Sequence, residues 1–199
     1  MAVTKTRTVE EIKLALDAGL EDLAENYIQE AREKARKLPG ARWHMVGNLQ
    51  KNKVNLAVDL FEVIHSLDSA SLIRRVDKRC KDRHRRLTGL LQVNLSGEKT
   101  KYGLSRSEVF ELLDELATEP PEYLRLSGLM TIPPPVNSPE ENRPYFRQLA
   151  ELLDEITGRK YPFWHGRELS MGMSDDFLVA IEEGATMIRV GRRLFGERI

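Results

Sequence analysis

The sequence from Arg167 to Glu197 reads RELSMGMSDDFLVAIEEGATMIRVGRRLFGE and contains two strand-like segments separated by one helix-like segment. The first strand-like segment, RELS, leads into Ser170–Ser174, and the second, Met187–Val190, leads directly into Gly191. A strand, a helix and a second strand in this order form a βαβ unit, in which the two strands are parallel. Both strands are therefore expected to end at the same edge of a sheet, in small residues with accessible backbone.

The same alternation of strand-like and helix-like segments extends over the whole chain. Eight segments read as strands, namely Ala2–Thr4, Glu21–Asn26, Arg42–Gly47, Phe61–Leu67, Thr88–Leu95, Leu124–Ile132, Arg167–Ser170 and Met187–Val190. Several are almost continuously apolar, as expected for parallel strands that are covered on both faces. Eight strands that alternate with helices predict an α/β fold, a single (β/α)8 TIM-type barrel domain over residues 1–199. A doubly wound open sheet is the alternative.

Three predicted helices have a recognisable start. Ser or Thr stands three residues before Glu in Thr8–Glu11, Ser105–Glu108 and Ser138–Glu141. In such a capping box, the two side chains satisfy backbone amides that the first helical turn leaves without partners. Each of these segments therefore predicts a helix that begins directly after it.

Composition and charge exclude several function classes. The chain has 31 basic and 31 acidic residues, so its net charge of zero gives no long-range attraction to nucleic acid or to an anionic membrane. The basic run Lys78–Arg86 lacks interleaved aromatic residues, and a solvated helix end is favoured there over an RNA-binding patch. The four histidines show no metal-ligand spacing, and no apolar run approaches the ~20 residues of a membrane span. The single cysteine, Cys80, suits the reducing cytoplasm, where we expect the protein to act.

The two strand ends within Arg167–Glu197 predict a phosphate site. In a barrel of this type the site lies at the C-terminal ends of the strands, and a phosphate often lies after strands seven and eight. Glycine amides, hydroxyl groups and one guanidinium are available there, from Gly172, Gly191, Ser170, Ser174 and Arg192. Ser174 can also cap a helix that begins near Asp175 and direct its first amides at an anion. The alternative is that Ser174 is an ordinary cap and that the glycines only end strands.

Lys5 is predicted to lie beside this phosphate site. Strand one neighbours strand eight when a barrel closes, and adjacent strands are ~4.8 Å apart. An aromatic phosphate ester held after strands seven and eight would place its ring near Lys5, whose amine can form a Schiff base with an aldehyde. The alternative is a solvated lysine at a strand end.

Arg189, in the middle of the last strand, needs a partner if it is buried. It either pairs with an acid or faces a pyridine nitrogen. In the second case it can only donate a hydrogen bond, which would disfavour pyridinium and make the ring a weaker electron sink.

Segments from nearly the whole chain together resemble the pyridoxal phosphate homeostasis protein family. They are AVTK, LAENYIQEA, WHMVGNLQKNKV, IHSLD, LLQVNLSGEKTKYGL, GLMTIPPP, LSMGMSDDF and AIEEGATMIRVGRRLFGE. The resemblance implies a fold type III barrel like the N-terminal domain of alanine racemase. It also implies pyridoxal 5′-phosphate (PLP) held as a lysine aldimine, and a non-enzymatic role in intracellular PLP homeostasis and delivery, with apo forms of PLP-dependent enzymes as candidate recipients.

By position, the resemblance assigns the Schiff-base lysine to Lys5 and the contact with the ring nitrogen to Arg189. It assigns the phosphate cup to Ser170, Met171, Ser174, Gly191 and Arg192, and the pocket lining to Asn26 and His44. The sequence departs from the family pattern in three places. The predicted barrel lacks the usual N-terminal helix, Ala24 stands where the family often has Gly, and Arg192 stands where many members have a small hydroxyl residue.

Two other functions remain open from the sequence. A racemase-like PLP enzyme needs a second proton donor on the opposite face of its substrate, which an additional C-terminal domain supplies in alanine racemase. This chain ends eight residues after Gly191, although Tyr102 or a partner subunit could supply the donor. The other alternative is a barrel enzyme that acts on a sugar phosphate, with Lys5 as the nucleophile. We expect a non-enzymatic carrier, and a monomer because no helical interface is evident in the sequence.

Overall fold

Eight parallel strands form one sheet in which spatial order follows chain order. The structure is a computed structural model that describes residues 1–98 and 101–197. The strands are β1 Ala2–Val3, β2 Asp22–Glu25, β3 Arg42–Met45, β4 Val63–Leu67, β5 Leu87–Val93, β6 Leu124–Thr131, β7 Trp164–Met173 and β8 Met187–Arg189. Each of the eight predicted strands is present, and the first element is a strand, as predicted.

Backbone hydrogen bonds join the first strand to the last. Ala2 forms a parallel bridge with Val190, and the Val3 amide donates to the Val190 carbonyl at 2.8 Å. In the other direction, the Val190 amide donates to the Met1 carbonyl at 3.2 Å, and the Met1 amino group donates to Ile188 at 3.0 Å. This seam closes the sheet into a barrel, so the predicted (β/α)8 fold is confirmed and the open-sheet alternative is wrong.

Helices cover the outside of the barrel. They are α1 Val9–Asp17, α2 Ile28–Ala35, α3 Val54–Leu60, α4 Ala70–Asp82, α5 Arg106–Thr118, α6 Arg143–Gly158, α7 Phe177–Glu182 and α8 Arg192–Phe195. Helix α6 shows why they form, because its buried side chains recur at helical spacing on one face, at Phe146, Leu149, Leu152, Leu153 and Ile156. Within residues 1–98 and 101–197, no helix combines the length and the apolar character that crossing a membrane requires.

Two of the three predicted capping boxes start an α-helix as expected. The boxes at Thr8 and Ser105 have both reciprocal hydrogen bonds and lead into α1 and α5. The box at Ser138 instead leads into a short 3₁₀ helix, Pro139–Asn142, and α6 begins only afterwards. Pro144 has no backbone N–H, so an α-helical bond to the carbonyl of residue 140 cannot form, which explains the delayed start.

Strand β7 is longer than predicted. The sequence predicted Arg167–Ser170, but the strand runs from Trp164 to Met173, with register shifts against both neighbouring strands. Polar residues at its N-terminal end hid the first part of the strand from the sequence pattern. Gly128 on β6 allows the close approach of β7, because a Cβ atom there would lie 2.0 Å from the backbone oxygen of Glu168.

Candidate functional site

A pocket of about 190 Å³ opens at the C-terminal end of the barrel. It lies across the seam, with β1 on one side and the residues that follow β7 and β8 on the other. Six of the nine predicted site residues line it, namely Lys5, Asn26, Ser174, Arg189, Gly191 and Arg192. Closure of the barrel therefore brings the predicted lysine and the predicted phosphate-binding segments to one place. The volume lies below the roughly 300–1,000 Å³ of typical ligand pockets, so only a small molecule would fit.

The other three predicted site residues are buried and do not line this pocket. Ser170 is fully buried, and its hydroxyl bonds to Arg189 inside the barrel. Met171 is also fully buried, and because side chains alternate along a strand it faces away from Ser170, into the apolar core. His44 lines a depression at the opposite mouth of the barrel. The prediction that His44 lines the same pocket as Lys5 therefore does not match its position, since it precedes the end of β3.

Hydrogen bonds fix the backbone on both sides of Lys5. The Thr4 carbonyl accepts from Lys34 Nζ at 2.6 Å, and the Thr6 amide donates to Glu30 Oε1 at 2.6 Å. Thr6 has a φ of 66°, a left-handed conformation that a β-branched residue rarely adopts. The contacts made by Lys34 and Glu30 therefore hold the segment that carries Lys5 in an otherwise unfavourable conformation.

We call Lys34, Glu25 and Glu30, with Thr4, the Lys34 cluster. Lys34 Nζ lies 2.7 Å from Glu25 Oε1 and 2.6 Å from Glu30 Oε1, and Glu25 is fully buried. Burial raises the pKa of Glu25, and the hydrogen bonds from Lys34 and Thr4 oppose that rise. The sequence analysis missed this cluster, although Glu30 and Lys34 stand four residues apart on α2, the spacing of a helical ion pair.

Ser174 has a different role from the one predicted. Helix α7 begins at Phe177 after Asp176, and Asp176 Oδ1 accepts from the Met173 amide at 2.6 Å. The Ser174 hydroxyl instead accepts from the amides of Gly191 and Arg193, at 3.3 Å and 3.4 Å. The prediction that Ser174 caps a helix near Asp175 is therefore wrong, because the loop turns its hydroxyl across to the segment after β8. As a result, two backbone amides and one hydroxyl group meet on one wall of the pocket.

The remaining charges on this wall are partly balanced. The Arg192 guanidinium forms an ion pair with Asp175, and both side chains are largely exposed.

Two glycines shape the backbone around the pocket. Gly191 lets the segment after β8 pack closely against β1, since a Cβ atom there would lie 3.3 Å from the Val3 carbonyl oxygen. Gly172 adopts a φ of +86°, which the chain needs to turn at the end of β7. The backbone path that shapes the pocket therefore requires glycine at Gly172, whereas at Gly191 a larger residue would be tightly packed against Val3.

Arg189 lies at the floor of the pocket and is almost fully buried. Its Nη1 donates to Ser170 Oγ at 2.7 Å, and its Nη2 donates to the Thr131 carbonyl at 2.8 Å. Both of these acceptors are neutral oxygen atoms, whereas one sequence alternative was a pair with an acid. Burial lowers the pKa of Arg189 to about 10, and the charge of Asp176 opposes this change. Arg189 is therefore still a cation, and a hydrogen-bond donor only, at neutral pH.

A buried chain of hydrogen bonds continues from Arg189 through the barrel. Ser170 Oγ lies 2.9 Å from His65 Nδ1, and His65 Nε2 lies 2.9 Å from His44 Nδ1. His44 Nε2 lies 3.0 Å from Asp22 Oδ1. Burial lowers the pKa of both histidines, and the pKa of His65 falls well below its usual value. We call Arg189, Ser170, His65, His44 and Asp22 the buried chain; the sequence analysis did not single out His65, since a lone histidine in a strand carries no spacing signal.

Other candidate features of the sequence have structural explanations. In the basic run Lys78–Arg86, Arg79 and Arg83 both form ion pairs with Asp59, as expected of a solvated helix end. Cys80 is buried, and burial raises the pKa of its thiol to about 12. Among the residues that the structure describes, no three His, Cys, Asp or Glu side chains are grouped so that they could hold a metal ion.

Comparison with known proteins agrees with this architecture. The profile of the alanine racemase N-terminal domain matches residues 1–199. The pyridoxal phosphate homeostasis protein of Aquifex aeolicus is 42% identical over 200 residues, covering 100% of this chain and 86% of the relative. The structure of PipY from Synechococcus elongatus PCC7942, with PLP bound, has a TM-score of 0.91 and 36% identity, and covers 98% of this chain and 91% of PipY.

A more distant neighbour shows how widely the barrel is shared. Alanine racemase of Clostridium difficile 630 has a TM-score of 0.73 at 14% identity, covering 99% of this chain but 51% of the racemase. At that identity the likeness concerns the fold alone. The resemblance inferred from the sequence is confirmed by the profile and by the full-length relatives. The chain belongs to the pyridoxal phosphate homeostasis protein family, whose barrel is that of the alanine racemase N-terminal domain.

Proposed function

We propose that this chain binds PLP, with Lys5 as the Schiff-base residue, and that it holds and delivers the cofactor without catalytic turnover. The observation that carries the proposal is the closed seam, which brings Lys5, Arg189 and Gly191 around one pocket. The PLP bound in PipY, and the name shared by the curated relatives, support the same ligand for this chain.

The donors around the pocket fit the chemistry of PLP. A phosphate group needs several donors close together, and the amides of Gly191 and Arg193 already point at one oxygen atom, the Ser174 hydroxyl. Arg192 adds a guanidinium at the pocket wall, where the carboxylate of Asp175, which also lines the pocket, balances its charge. The carboxylate of Asp176 is bound by the Met173 amide, so one of the two acids in this loop is kept away from an incoming anion.

When bound, PLP supplies a reactive aldehyde. In the proposed step, the unprotonated Lys5 Nζ attacks the aldehyde carbon and forms a C–N bond. The carbonyl oxygen then leaves as one water molecule, so that a C=N bond remains and no oxidant or reductant is required. The Lys34 cluster supports this role for Lys5, because it orders the backbone on both sides of that residue.

Arg189 affects how strongly a bound pyridine ring could withdraw electrons. As a cation that can only donate, its guanidinium suits an unprotonated pyridine nitrogen and disfavours pyridinium. A ring held in that state is a weaker electron sink than one paired with an acid. Tyr102, the candidate second proton donor of a racemase-like enzyme, is 61% exposed and lines a neighbouring depression with Asn48 and Lys53. That depression shares Asn26 with the pocket, so a racemisation assay, and not the position of Tyr102, decides between the carrier and the racemase-like alternative.

The test is an intact-mass measurement with PLP, before and after borohydride reduction. We expect a yellow protein whose reduced form carries one PLP on Lys5. Lys5→Ala should lose the covalent label but retain some PLP through the phosphate contacts, whereas Lys13→Ala, at an exposed position on α1, should label like the wild type. A colourless protein that ignores PLP would instead favour the sugar-phosphate alternative.

The absence of turnover, the transfer of PLP, and the oligomeric state and location of the protein are tested by separate measurements. Sustained racemisation of an L-amino acid by the PLP-loaded protein would overturn the non-enzymatic role. Transfer to apo PLP-dependent enzymes predicts that their activity recovers faster with the loaded carrier than with an equal total concentration of PLP. We also propose that the protein is a monomer and acts in the cytoplasm. Sedimentation at micromolar concentration tests the monomeric state, and cell fractionation tests the location.

A further inference from the structure

We infer that Asp22, at the mouth of the barrel opposite the pocket, is a positioning residue that sets the direction of every hydrogen bond leading to Arg189. The inference concerns the buried chain of Arg189, Ser170, His65, His44 and Asp22. Its consequence for PLP rests on the proposed function, but its first test needs no cofactor.

The two ends of the buried chain have fixed roles. A guanidinium can only donate, so Ser170 Oγ accepts from Arg189; an ionised carboxylate can only accept, so His44 Nε2 must carry a hydrogen toward Asp22. His44 Nδ1 then has no hydrogen and accepts from His65 Nε2–H. His65 Nδ1 is consequently an acceptor, and the Ser170 hydroxyl hydrogen points to it. Both histidines are therefore neutral Nε2–H tautomers.

With both histidines neutral, one other set of hydrogen-bond directions satisfies most of the contacts in the buried chain, and the Asp22 carboxylate excludes it. In that arrangement Ser170 accepts from both Arg189 and His65 Nδ1–H, and His65 Nε2 accepts from His44 Nδ1–H. His44 Nε2 would then turn a lone pair toward the Asp22 carboxylate at 3.0 Å, which is repulsive. An amide at position 22 would remove this repulsion, because its N–H can donate to His44.

The protonation states around Asp22 are consistent with a carboxylate end. Hydrogen bonding from Arg42 lowers the pKa of Asp22, and the hydrogen bond from His44 acts in the same direction. Burial keeps both histidines neutral, and the charge of Arg189 further lowers the pKa of His65. Two N–H groups would meet in the 2.9 Å contact between the rings only if both histidines were protonated. A single protonated histidine is disfavoured by burial instead, since His65 is fully buried and His44 nearly so.

The direction of the chain matters to the pocket through Ser170. In the inferred arrangement the hydroxyl hydrogen of Ser170 points away from Arg189, toward His65, and leaves a lone pair for the guanidinium. In the reversed arrangement the Ser170 hydroxyl hydrogen no longer bonds to His65 and lies beside the Arg189 guanidinium. Its positive charge there weakens the hydrogen bond between Ser170 and Arg189. Asp22 therefore keeps the guanidinium in place at the pocket floor, although it lies at the other mouth of the barrel.

Histidine nitrogen NMR on the full chain without PLP tests the inference. We expect His44 and His65 to be neutral Nε2–H tautomers in the wild type. In Asp22→Asn, whose amide can donate as well as accept, we expect the Nδ1–H tautomer to become populated at both positions. Arg42→Gln is the matched control, since it removes the other partner of Asp22 but keeps the carboxylate, and both tautomers should stay unchanged. An Nδ1–H tautomer at either position in the wild type would overturn the inference without any variant, and so would unchanged tautomers in Asp22→Asn.

A second readout uses PLP itself. Asp22→Asn should weaken PLP binding about fivefold, the factor that corresponds to one net hydrogen bond, and change the ratio of the Schiff-base absorption bands. Asp22→Glu, which retains a carboxylate, should restore much of both properties. Switched tautomers with unchanged affinity and spectrum would refute the positioning of Arg189 while leaving the proposed function intact. A wild-type protein that does not bind PLP would refute the proposed function, and the tautomer result would still decide the direction of the chain.

Discussion

Lys34→Met is expected to destabilise the protein by about 3 kcal/mol at pH 7, because it leaves the buried carboxylate of Glu25 without its ammonium partner. Glu25 can avoid remaining charged by taking up a proton. From its ordinary pKa of 4.5, protonation at pH 7 costs about 3.4 kcal/mol, at about 1.36 kcal/mol per pH unit. This cost limits the penalty and lies within the range of about 3–5 kcal/mol typical of a broken buried ion pair.

The same reasoning gives the variant a definite pH dependence. In Lys34→Met the pKa of folded Glu25 lies above its unfolded value, so the folded state binds more protons in the interval between the two values. Stability therefore falls as pH rises through that interval, and it recovers as pH is lowered toward 4.5. At pH 5 protonation costs only about 0.7 kcal/mol, so the deficit relative to the wild type should shrink to about 1 kcal/mol.

Urea unfolding followed by circular dichroism at pH 5 and pH 7 measures both deficits. Lys13→Met, at an exposed position, is the control and should change stability by no more than about 0.5 kcal/mol. The double variant Glu25→Gln with Lys34→Met should recover part of the loss at pH 7, since no buried charge remains. A Lys34→Met deficit below about 1 kcal/mol at pH 7, or one of equal size at both pH values, would refute the reasoning.

Two further predictions concern the backbone and the single thiol. Gly172→Ala should lower the free energy of unfolding in urea by about 2–4 kcal/mol, because φ is +86° and the new Cβ would lie 2.5 Å from Ala180 Cβ. Gly158→Ala is the control: with no atom within 4 Å of its Cβ, it should leave the free energy of unfolding unchanged or raise it by up to about 1 kcal/mol. Equal effects of the two changes would contradict this interpretation. Cys80 is buried and its pKa is raised to about 12, so alkylation at pH 8 should proceed only as fast as the protein opens, and rapid labelling in native buffer would be inconsistent with this burial.

Most of the fold could be predicted from the sequence because its signals are local. Apolar runs such as Leu124–Ile132 identify buried parallel strands, and the boxes at Thr8 and Ser105 identify helix starts. The N-terminal part of β7 was missed because His165 and Gly166 interrupt the apolar pattern before the predicted start at Arg167. The capping box at Ser138 did not start an α-helix because Pro144 has no backbone N–H to donate to the carbonyl of residue 140.

The site was less predictable, since its contacts join residues that are distant in sequence. The position of Lys5 followed from barrel closure, a property of the fold as a whole. Ser174 was assigned to the nearer helix, whereas its partners follow β8 and Asp176 makes the local contact instead. The pairing of Lys34 with Glu25 also joins separate elements. Lys34 continues the buried face of α2 after Ile28 and Ala31, but a lysine at such a position is ordinarily expected to face solvent.

The Ser174 hydroxyl gives the pocket a built-in substitute for a ligand oxygen. Because the amides of Gly191 and Arg193 already have an acceptor, an arriving anion exchanges one set of bonds for another and gains only the difference between them. The existing bonds are long, at 3.3 Å and 3.4 Å, so they yield readily and can re-form when the anion departs. Under the proposed function, such an exchange would moderate affinity and ease release, as a protein that delivers PLP requires.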